Sequence, residues 1–462
     1  MTDYFLLGVM GAGMSVVAQL LAAQGHQVAG ADRSAQGPAS QALAEAGVKV
    51  YEGHDPELIK PEMTIIRSSA IRADNPQIIK ANELQLPILH RSEGLALAAA
   101  GKQFVAVAGA HGKTTTSGML SSALTSAGLD PSFAVGSIVK GFGSGARLGQ
   151  GPVFVAEADE SDGSFLNYEP TIEIVTGVEP DHLDYYGTFE GVKQAFQNFA
   201  ERLVPEGTLI AFADDPGAAE LAQKVREAGR NRVLTYGQGA ADVQLAKRVD
   251  TDNGQEFEVS GVLGSARIKL RMGGLHNALN ATAAWIAGRL LGVEAGPMAQ
   301  ALNQFEGTAR RFDPVANLAL DGGEVRIFDD YAHHPTEVAM ALKLGRQVAG
   351  EGRLVVAFQP HLYSRTAAFA AEFAQALSLA DQVYVLDIYA AREDPRTDIN
   401  AQTITQHLEK AVPSGNLTET AQLLAQHLQA GDTLVTMGAG DVTKLGPLVV
   451  AEVESTRRNG DN

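Results

Sequence analysis

Apolar residues in this chain come in short runs. Each run is followed by a glycine or polar turn and then by a stretch whose apolar positions lie three and four apart. Phe104-Val105-Ala106-Val107 is one such run, and the spacing of Met119, Leu120, Ala123, Leu124 and Ala127 after it predicts a helix with one apolar face. Near the start, Phe5-Leu6-Leu7 leads into Gly8-Val9-Met10-Gly11-Ala12-Gly13-Met14-Ser15. There a helix is predicted over 16–23 and a second strand over 26–30, ending at Asp32. Further strands are predicted at 153–156, 172–175, 325–328, 354–358, 383–386 and 434–437, with helix-like stretches between them. Strands alternating with helices predict an α/β chain with mostly parallel sheets.

The pattern divides into three blocks, 1–101, 102–309 and 310–462, each opening on strand-like and glycine-rich signals. Four hundred and sixty-two residues are enough for two to four domains with cores of their own. The first block has the geometry of a Rossmann-like unit, with Gly11 and Gly13 at the turn and Asp32 after the second strand. Its glycines, Gly8, Gly11 and Gly13, do not follow the dinucleotide spacing. Asp32 therefore suits the ribose-type hydroxyls of a nucleotide sugar as well as those of NAD. The polar tail from Glu454 is predicted to fray.

Composition narrows the functions. No apolar run approaches the roughly 18 residues of a membrane span, so no membrane insertion is expected. The chain has no cysteine, which removes disulfide and thiol chemistry and agrees with a cytoplasmic location, as does an N-terminus without the basic start of a signal peptide. A net charge of −18 argues against a nucleic-acid partner. In so acidic a chain, the cations beside glycine loops carry the information.

The chemistry gathers at predicted strand ends. Gly109-Ala110-His111-Gly112-Lys113-Thr114-Thr115 stands between a strand and a helix, where backbone N–H groups and a helix N-terminus would face a triphosphate. Lys113 would reach the outer phosphates and the Thr114 hydroxyl would ligate Mg²⁺. The general phosphate loop has glycine at the position of Val107, so this loop is shortened; an ordinary glycine turn is the plainer alternative. Glu157-Ala158-Asp159-Glu160-Ser161-Asp162 offers Glu157 to the metal, the other acids being outer partners or simply exposed. In Asp181-His182-Leu183-Asp184, His182 is either a ligand of a second cation or a structural turn residue. Asn277 and Asn280 share a helix face, suited to a nucleotide and its metal or, for Asn277, to capping. Arg310 and Arg311 suit phosphate clamping, or a linker salt bridge for Arg310. His333 and His334 are adjacent and expected to point apart, and Arg365 could fork a carboxylate.

Taken together, these clusters resemble the Mur ligases of peptidoglycan synthesis, most closely the branch that adds L-alanine to UDP-N-acetylmuramate. Ser68-Ser69-Ala70-Ile71, the Glu157–Phe165 string, Asp329-Asp330-Tyr331-Ala332-His333-His334-Pro335-Thr336-Glu337 and Phe358-Gln359-Pro360-His361 carry the likeness over nearly the whole chain. The shortened loop is the form this family uses. The resemblance implies a Rossmann-like UDP-sugar domain (1–101), a central ATPase domain (102–309) and a Rossmann-like domain (310–462) that binds the amino acid and closes over the site. The implied reaction is ATP-dependent amide formation. The lactyl carboxylate of UDP-N-acetylmuramate takes the γ-phosphoryl group, and the L-alanine amine then displaces phosphate, with two Mg²⁺ ions offsetting the crowded anions.

Residue by residue, the resemblance gives ATP to Gly109, Ala110, His111, Gly112, Lys113, Thr114, Thr115, Asn277, Asn280, Arg311 and Asp330. It gives metal to Thr114, Glu157 and His182, and catalysis to Lys113, Glu157, His182, Arg311 and Asp330. The UDP-sugar falls to Gly11, Ala12, Gly13, Met14, Ser15, Asp32, Ser68 and Ser69, and the amino acid to Tyr331, His334, His361 and Arg365. A homodimer is compatible with the reading. Two positions depart from the family pattern: Met10 replaces a usual glycine, and Leu362 an arginine. A murein-tripeptide recycling ligase of the same build is the nearest alternative. A noncatalytic nucleotide switch is a rival from another class.

Overall fold

The computed structural model describes residues 2–460 apart from Pro38, Ser69, Asp252, Asn253 and Arg392. The chain divides between Thr308 and Ala309 into two compact units. The first holds two sheets. Strands β1 (Tyr4–Leu7), β2 (Val28–Asp32), β3 (Lys49–Glu52), β4 (Thr64–Arg67) and β5 (Ile88–His90) form an all-parallel sheet in the order β3-β2-β1-β4-β5. The helix after β1 spans Ala12–Ala23, four residues earlier than the predicted start, because the chain turns at Gly11 and apolar spacing is blind to that turn. Strand β2 starts two residues later than predicted. The N–H of Gln27 donates to Asp3 Oδ2, and sheet pairing begins at Val28 opposite Tyr4.

The second sheet has ten strands: β6 (Gln103–Ala108), β7 (Ser132–Val139), β8 (Ser144–Arg147), β9 (Val153–Glu157), β10 (Ile172–Val175), β11 (Thr208–Phe212), β12 (Arg232–Gly237), β13 (Val243–Thr251), β14 (Gly254–Gly261) and β15 (Gly264–Leu270). Their order is β15-β14-β13-β12-β11-β10-β6-β9-β7-β8. The centre is parallel, and both ends finish in antiparallel pairs. Strand β6 is buried on both faces. Val105 and Val107 pack toward helices Lys113–Ser126 and Leu275–Leu290, while Phe104 and Ala106 pack toward Phe196, Phe199 and Leu221. Near-continuous apolar runs of this kind are what a sheet covered on both sides requires.

The second unit holds β16 (Asp313–Leu320), β17 (Gly323–Asp330), β18 (Leu354–Phe358), β19 (Gln382–Leu386), β20 (Ala411–Gly415) and β21 (Thr433–Met437), ordered β16-β17-β21-β18-β19-β20. Only the β16–β17 hairpin is antiparallel. In the first unit, β1 lies between β2 and β4, and β6 between β9 and β10. Chain connections leave such strands in opposite directions, which opens crevices at their carboxyl ends where ligands bind in α/β sheets. Among the described residues no helix is long and apolar enough to cross a membrane.

Candidate active site

Val107 is a core residue of β6, fully buried and paired with Glu157 of β9, so the turn begins only at Gly109. Gly109 and Gly112 adopt φ +127° and +83°, which favour glycine, and the helix starts at Lys113. A Cβ on Gly112 would stand 2.6 Å from Asn280 Oδ1, so the missing side chain is what lets Asn280 lie against the loop. Asn277 is 3% exposed, and its Nδ2 donates to the Gly273 carbonyl at 2.8 Å. The cap position belongs to Gly274, so Asn277 is not the N-cap. The Ala110 N–H donates to Gly177 O at 3.1 Å, and Thr176 Oγ1 donates to the carbonyls of Ala108 and His111. His111 Nε2 lies 3.5 Å from Glu179. Thr114 and Thr115 are buried at the helix start.

Lys113 Nζ donates to Gly109 O and to Glu160 Oε1, each at 2.7 Å. Glu160 is only 2% exposed, so the acid expected to be an outer or exposed group is the direct partner of the loop lysine. Burial alone would lower the Lys113 pKa. The Glu160 carboxylate overcomes that and holds it above its ordinary value. Phe165, its ring 4.6 Å from Phe199 and 5.5 Å from Phe196, pins the segment after β9 to the helix Phe189–Ala200. Such aromatic contacts add about 0.5–1.5 kcal/mol each beyond area burial. The Tyr186 hydroxyl donates to the Glu160 carbonyl.

His182 Nε2 stands 3.9 Å from Glu160 Oε1 and 3.5 Å from Asp181 Oδ2. Its backbone is left-handed, at φ +55°. A non-glycine residue there is strained, a feature common at functional sites. Glu157 ends β9, and its Oε1 accepts from the Gly136 N–H at 2.9 Å. Strand order thus brings Lys113, Thr114, Glu157, Glu160 and His182 to the carboxyl ends of three adjacent strands.

A separate cavity of about 1000 Å³ opens where β1 and β4 end. Gly11, Gly13, Met14, Asp32 and Ser68 line it, with Gly8, Met10, Arg33, His54, Arg72, Arg91 and Asp159, none of them proposed from sequence as sugar-site residues. Asp32 also shapes the loop: its Oδ2 accepts from the Met10 N–H at 2.9 Å. Ser15 is 5% exposed and is not part of the cavity wall. The Ala12 side chain and Ser69 lie outside the described residues.

In the second unit, the guanidinium carbons of Arg310 and Arg311 lie 4.8 and 5.3 Å from the Tyr331 ring centre. Arg310 Nε donates to Asp329 Oδ2 at 3.1 Å and its Nη2 to Gly438 O at 2.7 Å, which is the salt-bridge alternative. Asp330 accepts from the N–H groups of Phe312 (2.7 Å) and Ala332 (2.8 Å). Burial raises its pKa to about 6 against the pull of Arg311. Glu337 accepts from the backbone N–H groups of His333 and His334, capping the helix Pro335–Ala349, and lies 3.7 Å from Arg311. The adjacent histidines do point apart. His334 packs edge-on to Phe369, while His333 faces Tyr331 and His361, with its pKa lowered to about 4 by burial. His361 stacks on Tyr389. Arg365 is half-buried in the short helix Tyr363–Ala368. Leu362 opens that helix at φ +70° and is 8% exposed, a buried apolar residue where the family pattern has arginine.

A shortened phosphate loop and a lysine paired to a buried acid at the parallel centre of one sheet, with a cavity of about 1000 Å³ at the strand ends of another, define a nucleotide-using enzyme of the P-loop kind. Family models agree with that class and narrow it. The Mur ligase family catalytic domain matches residues 4–103, the Mur ligase middle domain residues 107–288, and the Mur ligase glutamate ligase domain residues 310–440. A UDP-N-acetylmuramate–L-alanine ligase of Kineococcus radiotolerans is 49% identical over 96% of this chain and 95% of its own length. That of Paenarthrobacter aurescens is 47% identical with the same coverage. The crystal structure of a UDP-N-acetylmuramate–alanine ligase from Thermotoga maritima superposes with a TM-score of 0.80 at 26% identity, covering 98% of this chain and 99% of that one. The chain belongs to the Mur ligase family.

Proposed function

We infer that this protein is an ATP-dependent ligase that joins L-alanine to the lactyl carboxylate of UDP-N-acetylmuramate in peptidoglycan precursor synthesis. The observation that carries the reading is the 47–49% identity, over 96% of the chain, to proteins of that activity. The geometry supports it. Asp159 lines the β1–β4 cavity and also acts electrostatically on Lys113, so one short segment borders both the sugar cavity and the phosphate loop.

A carboxylate is a poor electrophile, and phosphorylation gives it a leaving group. Lys113, with two of its three N–H donors committed to Gly109 and Glu160, keeps one for the transferring phosphoryl group. The backbone of 109–112 and the start of helix Lys113–Ser126 cradle the triphosphate. Thr114, Glu157 and His182 fit divalent cations. They offer a hydroxyl, a carboxylate and an imidazole at neighbouring strand ends, and the buried Glu160 Oε2 beside them has no hydrogen-bond partner. Mg²⁺ held there, as two ions in our reading, supplies positive charge against the triphosphate and substrate carboxylate. We assign the UDP-sugar to the β1–β4 cavity, Asn277, Asn280, Arg311 and Asp330 to the nucleotide, and Tyr331, His334, His361 and Arg365 to L-alanine. We place the enzyme in the cytoplasm.

The test is phosphate release from ATP with UDP-N-acetylmuramate and L-alanine, glycine, L-serine or the murein tripeptide as acceptor. L-alanine is expected to support the highest kcat/KM. Turnover with the tripeptide alone would replace this reading with the recycling ligase.

A further inference from the structure

The chain enters β16 through a strained turn. Arg310 and Phe312, on either side of Arg311, adopt φ +59° and +48°, the left-handed region that favours glycine. A residue with a Cβ stays there only where its surroundings fix it. Here the fixing groups come from the end of β17 and the residues after it. The Tyr331 N–H donates to the Arg310 carbonyl at 2.8 Å, and the Arg310 guanidinium donates to Asp329 and to the Gly438 carbonyl. Phe312 is held twice. Its ring stacks on Phe328 with centres 4.5 Å apart, and its N–H donates to Asp330 Oδ2 at 2.7 Å. The other Asp330 oxygen, Oδ1, accepts from the Ala332 N–H at 2.8 Å. The buried Asp330 carboxylate therefore ties the strained turn to the segment that follows β17. Arg311 leaves that turn between the two strained residues. Its guanidinium lies 5.3 Å from the Tyr331 ring centre and 3.7 Å from Glu337 Oε1.

We propose that Asp330 is a positioning residue: it serves the nucleotide by locking the turn that presents Arg311, not by touching the nucleotide itself. The inference rests on the assignment of Arg311 to the nucleotide. Both Asp330 oxygens are engaged by backbone N–H groups, so its hydrogen bonding is spent inside the second unit. A carboxylate that met a triphosphate directly would repel it, whereas one that fixes the turn carrying an arginine holds in place the charge that attracts it. The two left-handed residues are the reason a lock is needed. Once Phe312 is released, the turn relaxes out of its strained conformation, and the guanidinium it carries leaves its place beside Tyr331.

The test is a double-mutant cycle in steady-state ligation of UDP-N-acetylmuramate and L-alanine, with the full chain and its R311A, D330N and R311A/D330N variants. Arg311→Ala is expected to raise KM for ATP about ten-fold or more, the scale of a lost charge-assisted contact, and to leave KM for the other two substrates within about two-fold. Asp330→Asn sets an NH₂ group against one of the two backbone N–H groups, so it should raise KM for ATP about five- to ten-fold. In the R311A background D330N should add less than about two-fold, because both residues act through one contact. A merely structural loss would lower kcat and leave every KM in place. KM for ATP within about two-fold of the parent in D330N overturns the proposal, as does an equal rise with and without Arg311, which would put Asp330 on the nucleotide itself. Parent kinetics in R311A remove the assignment of Arg311 together with this inference. A defective R311A beside a parent-like D330N removes this inference alone. One measurement needs no variant: in hydrogen exchange of the unliganded protein, the Phe312 amide should be protected as strongly as the amides inside β17. Free exchange at Phe312 overturns the lock.

Discussion

Glu173 sits inside β10, in register with Ala106 of β6 and Leu209 of β11. It is fully buried, and neither carboxyl oxygen has a hydrogen-bond partner. Burial pushes its pKa well above the usual carboxylate range, so folding favours its protonated form. In the unfolded chain it titrates near 4.3, and each pH unit above that costs about 1.36 kcal/mol in proton uptake on folding. The penalty grows from the unfolded pKa upward until the pH reaches the raised folded-state pKa. The sign follows from the raised folded-state pKa: the contribution is complete below the unfolded pKa and is lost as pH rises. Glu173→Met keeps the length of the side chain and removes the proton requirement. The variant should be more stable at pH 7.5, with a gain that shrinks steadily toward pH 5. Trp285, the single tryptophan, is fully buried in the helix packed on this same sheet, so urea unfolding followed by its fluorescence reads the correct region. A variant no more stable than the parent at pH 7.5, or a gain independent of pH, would refute the reasoning.

Lys113→Met should abolish ligation while UDP binding stays near the parent's. It should also cost about 3–5 kcal/mol in urea unfolding, because Glu160 is left buried without its ion partner. Adding Glu160→Gln should restore much of that stability and none of the activity; a stable single variant would contradict the pairing. Gly112→Ala forces a left-handed alanine against Asn280, so nucleotide affinity measured by titration should fall at least ten-fold, with UDP affinity unchanged. Asp330, raised to about 6, should make the second unit lose stability between about pH 4 and pH 6, by roughly 3 kcal/mol in all. Circular-dichroism melts should show that slope flatten in Asp330→Asn; an unchanged slope would assign it elsewhere.

What the chain discloses locally was readable before any coordinates. The β6 run, the Gly-Lys-Thr turn and the helix spacing after it are contiguous, so their geometry follows from order alone. Val107, out of place in a general phosphate loop, is explained by its position inside β6. Contacts across long separations were hidden. Lys113 and Glu160 lie 47 residues apart, and nothing in Glu157–Asp162 tells which of four acids turns inward once the strand period ends. Met10 and Asp32 meet only because β1 and β2 are neighbours in the sheet. The β13–β15 meander escaped notice for another reason. Its inward residues, such as Phe257 and Val259, alternate with polar ones, a two-residue period that a search for continuous apolar runs passes over.

The most direct test of carboxylate activation follows one oxygen atom. UDP-N-acetylmuramate labelled with ¹⁸O in its lactyl carboxylate is turned over with ATP and L-alanine, and the released phosphate is analysed by mass spectrometry. If Lys113 aids phosphoryl transfer onto that carboxylate, the oxygen that bridges carbon and phosphorus leaves with phosphate, and each amide formed yields one phosphate carrying one labelled oxygen. Phosphate released without the label, at a rate matching amide formation, would contradict the account.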